Sequence, residues 1–76
     1  MEVYIMAKRH HVLKPNEIGF LKSNLALIGI QKLIQKYEAK YVEEVECIFT
    51  YVIYEFDTRE MVEEFQSEMN RIVDLD

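Results

Sequence analysis

The run Leu25-Ala26-Leu27-Ile28-Gly29-Ile30 would present apolar side chains all the way round a helix. A helix of that kind has to be covered on every side. With 76 residues in total, the chain has little to cover it with. A chain of this length forms one domain, spanning 1–76, and buries only about 60% of its unfolded surface. Small cores are usually supplemented by disulfides, a structural metal or oligomerisation. The single cysteine, Cys47, cannot close an internal disulfide, and no Cys/His cluster has zinc spacing, so no metal and no cofactor are expected. Self-association remains. Leu25, Leu27, Ile28, Gly29 and Ile30 are its candidate residues, with Gly29 letting a second backbone approach closely. The alternative is that Gly29 ends one helix and another begins after it.

Periodicity predicts the order strand–helix–strand–helix. Val3, Ile5 and Ala7 alternate in a β-branched and aromatic stretch that reads as a strand to about residue 12. Pro15 closes that strand, and Asn16 is placed to cap a helix running from about Glu17 to Ala39. Its apolar row is Ile18, Leu21, Leu25 and Ile28, continued by Ile30, Leu33, Ile34, Tyr37 and Tyr41. Lys32, Lys36 and Lys40 fall four residues apart on the solvated side. Residues 45–56 are apolar on both period-two faces and contain no turn residue before Asp57, which predicts one long strand with a bulge rather than a hairpin. Cys47 then lies inside that strand as a small buried thiol. Asp57 with Glu60 three residues on resembles a capping box, opening a second helix whose buried stripe is Met61, Val62, Phe65, Met69, Ile72 and Val73.

The predicted fold class is therefore α/β, or α+β: two helices on a small sheet, completed by a second copy. Parallel strands joined by a right-handed crossover are the natural pairing. Two strands alone make a poor sheet and leave an inviting edge, which again favours a homodimer.

Charge is sorted along the chain. Residues 1–40 carry seven basic and three acidic groups, residues 41–76 two basic and eleven acidic, giving +4 and −9 for a net −5. Such separation calls for a charged partner: the other half, a second copy, or another molecule. Glu60, Glu63, Glu64 and Glu68 make an acidic helix face, with Glu43, Glu44, Glu46, Glu55 and Asp57 nearby in sequence. That face would steer and select a basic protein surface. The bland reading is a solvated helix, neutralised by Lys32, Lys36 and Lys40. The opposing functional reading is a nucleic-acid-binding homodimer using Lys8, Arg9, Lys14, Lys32, Lys36 and Lys40, which the acidic whole-chain balance disfavours. His10 and His11 are adjacent and would point to opposite sides of a strand, so they do not chelate together. The methionines and tyrosines suit an interface but equally a core.

No phosphate loop, nucleophile elbow or plausible Cys47–His pair supplies chemistry, so no enzyme and no small-molecule substrate are expected. The longest apolar stretch is too short to span a membrane. The early acid and late bases of the N-terminal segment reverse a secretory layout, and with the lone thiol they point to the cytoplasm. The expected function is that of a small interaction protein binding a basic partner through its acidic C-terminal half. By analogy of type, it is an inhibitor of the kind that phages and mobile elements encode.

Overall fold

The computed structural model describes residues 12–75. The N-terminal strand expected before residue 12, with Lys8, Arg9, His10 and His11, lies outside these residues.

Pro15 and Asn16 form a turn, and Glu17 is the first residue of a strand rather than of a helix. The Glu17 N–H donates to the Lys14 carbonyl at 3.0 Å, and the Lys14 N–H donates back to Glu17 Oε1 at 3.0 Å. Asn16 is not a helix cap. Its Nδ2 donates to the Phe56 carbonyl at 2.7 Å, while the Phe56 N–H donates to the Asn16 carbonyl at 2.9 Å, which ties the turn to a distant strand. Strand β1 (Glu17–Leu21) follows, then a 3-10 segment (Lys22–Ala26) and helix α1 (Ile28–Lys36). The long helix expected from Glu17 is thus replaced by three elements. Ile18 and Phe20 are inward-facing and buried at a period of two, with Gly19 between them. Glycine lowers helix stability here by about 1 kcal/mol, whereas the extended form gains a whole ladder to a neighbouring strand.

Helix α1 ends in a Schellman arrangement. The Ala39 N–H reaches the Ile34 carbonyl at 3.0 Å and the Glu38 N–H reaches that of Gln35 at 3.1 Å, with Glu38 in the left-handed region at φ 52°. Strand β2 (Lys40–Glu46) and strand β3 (Thr50–Glu55) form a hairpin, correcting the single long strand. Cys47, Ile48 and Phe49 make the turn, with the Cys47 N–H donating to the Phe49 carbonyl at 2.9 Å. They are exposed instead of lying within a sheet. Val42 is an extra residue between the pairs Tyr41–Tyr54 and Glu43–Ile53, a bulge that bends the outer strand. Tyr41 and Lys40, assigned by periodicity to the helix, belong to β2.

Helix α2 (Arg59–Leu75) closes the fold. Thr58, one residue later than the expected Asp57, is its cap: its Oγ1 accepts the Met61 N–H at 3.2 Å.

The sheet order is β1-β3-β2 and both ladders are antiparallel, so the fold is α+β and the parallel pairing is corrected. The chain supplies the third strand itself. Both helices pack on one face, where Ile18, Phe20, Val52 and Phe56 meet Ile30, Leu33 and Tyr37 of α1 and its end, and Val62, Phe65 and Met69 of α2. Phe65 is 0% exposed and its ring contacts those of Phe20, Tyr37 and Phe56 at 5.0–6.2 Å between centroids. The apolar run is absorbed within one chain. Ile30 is in the core, Leu25 and Leu27 pack against it, and Gly29 faces Ile72 of α2. Ile28 is left outside, 68% exposed.

Candidate functional site

The acidic face forms because α2 buries one stripe and leaves its opposite side to water. Val62, Phe65 and Met69 turn inward at helical spacing, so Glu60, Glu63 and Glu64 turn outward, and all three are exposed. Among the described residues, no cation lies within ion-pair distance of Glu60 or Glu64. Glu63 is held by Arg59 one turn earlier, Nε to Oε2 at 3.3 Å, in an exposed pair.

Glu68 has a different surrounding. It lies where α2 meets the end of α1, accepting a short hydrogen bond from the Tyr37 hydroxyl and an ion pair from Lys36 Nζ at 3.2 Å. The Tyr37 hydrogen bond foremost, then that of Lys36, holds the Glu68 carboxyl below its ordinary range. The same bond keeps the phenol protonated, pushing Tyr37 up, with burial adding to the effect. Lys36 is raised by its hydrogen bond and its attraction to Glu68. Glu68 is thus a latch between two helices more than a free member of the acidic face.

The expected basic set is dispersed. Lys14 lies in the turn before β1, Lys32 and Lys36 on α1, and Lys40 at the start of β2, beside Glu55 in the register. Lys36 is committed to Glu68. A second bond between the halves joins Lys22 to Glu44 at 3.2 Å. Some of the charge sorting is therefore satisfied within the chain, while Glu60 and Glu64 on the outer side of α2 have no ion pair among the described residues.

The turn of the hairpin was not legible as a surface. Ile48 is 90% exposed and Phe49 61%, and sequence periodicity had placed both inside a strand. Leu21 and Tyr51 are exposed close to it in the ladder, each 37%. Among the described residues, no three His, Cys, Asp or Glu side chains converge as metal ligands, and no helix is long and apolar enough to cross a membrane. No protein-family model matches the sequence, and neither a curated protein nor a solved structure matches it.

Proposed function

We propose that this chain is a small non-enzymatic protein-interaction module that binds a basic surface of a partner protein through its acidic C-terminal half, and that it acts as an inhibitor of that partner in the cytoplasm. The supporting observation is the outer side of α2, where Glu60 and Glu64 stand exposed one helical turn apart, with no cation at ion-pair distance among the described residues. Helix α2 is anchored by its own buried stripe, so these carboxylates are presented at fixed spacing. Exposed like charges of this kind accelerate encounter and reject acidic partners more than they add affinity.

The test compares two labelled probes, an oligolysine peptide and a mixed-sequence DNA duplex, by fluorescence anisotropy at low and high salt. The native chain is expected to bind oligolysine in a salt-sensitive way and to ignore the duplex. Charge reversal at three positions (Glu60→Lys, Glu63→Lys, Glu64→Lys) should abolish the oligolysine signal. Binding to the duplex that is lost on replacing Lys8, Arg9 and Lys14 by alanine would instead favour the nucleic-acid alternative. Homodimerisation belongs to the same reading, with Ile28 as the exposed apolar member of the expected set. Light scattering should give twice the chain mass for the native protein and a monomer for Ile28→Lys.

A further inference from the structure

Val52 and Ile53 are consecutive in the central strand β3, so their side chains point to opposite faces of the sheet. Both are nonetheless buried, at 1% and 4% exposure. Val52 belongs to the core under the two helices, whereas Ile53 lies outside that core. Its ladder neighbours do not enclose it either. Ile53 stands between Gly19, which has no side chain, and Glu43. A further cover over that face is required, and the register shows what chemistry it has to meet. Glu17, Glu55 and Glu43 gather toward one end of the face with Lys40 beside Glu55, while Leu21, Tyr51 and Val45 form a row at the other end.

We propose that residues 3–9 of the same chain are this cover, with Lys8 and Arg9 against the carboxylates and the apolar residues 3–7 over Ile53 and the Leu21–Tyr51–Val45 row. The chain enters the sheet at the acidic end, because Asn16 is tied to Phe56 just beyond Glu55. Traced back from that turn, Arg9 and Lys8 come first and Ala7, Met6, Ile5, Tyr4 and Val3 follow, acid-seeking and then apolar, in the order the face presents. The reach suffices. From residue 12 back to residue 3 the chain can extend about 30 Å, against about 20 Å for the whole of β3. A second copy laid face to face is disfavoured, since it would set carboxylates against carboxylates in a chain of net charge −5. Apolar burial supplies the attraction and the carboxylates fix the direction of the segment. The cover does not depend on the acidic side of α2, which lies beyond the opposite face of the sheet. It commits Lys8 and Arg9 within the chain, away from the nucleic-acid contact considered for them.

The experiment is a methyl NOE measurement on the full native chain, isotope-labelled at isoleucine, valine and methionine. The Ile53 methyls should give cross-peaks to methyls of Val3, Ile5 or Met6. In a mixture of labelled and unlabelled chains, isotope-filtered spectra should show none of these peaks between molecules. Cross-peaks from Ile53 to residues 12–75 alone would overturn the proposal. Peaks between molecules would assign the cover to a second copy and overturn it too. The charged part is read by trypsin cleavage after Lys8 and Arg9, taken relative to cleavage after Arg71 at the far end of α2. The double change Glu43→Gln, Glu55→Gln should raise that ratio about five-fold, as expected for the loss of two exposed charge contacts. An unchanged ratio would remove the carboxylates from the proposal. Oligolysine binding at α2 is a separate readout, so the failure of either surface is distinguishable from that of the other.

Discussion

Glu38 holds a left-handed backbone at φ 52°, the one non-glycine residue among those described to do so. An L-residue is strained there by about 1–2 kcal/mol, and the position closing a Schellman motif is the one that glycine commonly fills. Glu38→Gly is therefore expected to stabilise the fold by about 0.5–1 kcal/mol, part of the relief being offset by a freer unfolded chain. Urea denaturation followed by circular dichroism checks it, and a lower midpoint would contradict it. The Tyr37–Glu68–Lys36 cluster gives a dependence on pH. Because the Glu68 carboxyl titrates below its ordinary 4.5 in the folded chain, its contribution is complete above that value and is lost as pH falls through the lowered one. Tyr37 and Lys36 are raised above 10.0 and 10.5, so theirs is complete below those values and lost as pH rises through the raised ones. Thermal stability should have a plateau between these limits. Glu68→Gln should flatten the acid side, and an unchanged acid slope in that variant would remove the latch. The Lys36–Glu68 pair is one of the neutralising contacts the bland reading of the acidic face allowed, whereas the Tyr37 hydroxyl bond was not visible in sequence, because nothing local says that α1 ends beside Glu68.

At the scale of elements, α2 was legible because its apolar spacing persists over 17 residues, long enough for no other period to imitate it. Strand β1 was not, because over five residues Ile18, Phe20 and Leu21 satisfy a helical row almost as well as an alternating one. What decides between them is the ladder to β3, a contact some 35 residues away that no local pattern contains. The hairpin was hidden for a related reason. Its turn is built without any left-handed residue, so glycine and asparagine, the usual markers, are not required. Gly29 was read as letting a second backbone approach; within the chain, what lies against it is the Ile72 side chain. A β-carbon at position 29 would lie 3.1 Å and 3.3 Å from two Ile72 carbons. Alanine there gains up to about 1 kcal/mol in helix propensity. Crowding by Ile72 removes that gain in the native background. In an Ile72→Ala background, Gly29→Ala should be more favourable by about 0.5–1 kcal/mol, a coupling of ordinary size for touching residues. Equal effects in both backgrounds, measured by urea denaturation, would mean the two helices do not meet as described.

For the molecule as a whole, stability rests on few residues. A domain of 76 residues has a total of roughly 4–11 kcal/mol at typical per-residue values. Truncating Phe65 to alanine is expected to cost about 3–5 kcal/mol, because its ring is enclosed by three others and the surroundings cannot collapse around the gap. The urea midpoint should fall by at least about a quarter, and a variant retaining its native midpoint would refute the central place given to this ring. The ion pairs joining the two halves of the chain contribute far less, since they are exposed and screened by salt. The charge sorting is thus a matter of what the surface meets more than of what holds the fold. Its existence was plain from sequence, whereas its division into paired and unpaired carboxylates needed the two helices side by side.

The strand order has a consequence for how the chain is made. Strand β3 lies at the centre of the β1-β3-β2 sheet and is the last of the three to be synthesised. While the chain emerges from a ribosome, β1 and β2 have no ladder to join until Thr50–Glu55 follows them. The hairpin then closes over three residues, and β1 completes the sheet across a far longer loop. A nascent chain halted before residue 50 thus carries Ile18 and Phe20 on a segment with no ladder to hold it extended, and without Val52, Phe56 and Phe65 to complete their core. The sheet therefore closes in one step, once Thr50–Glu55 is available to join both of its neighbours.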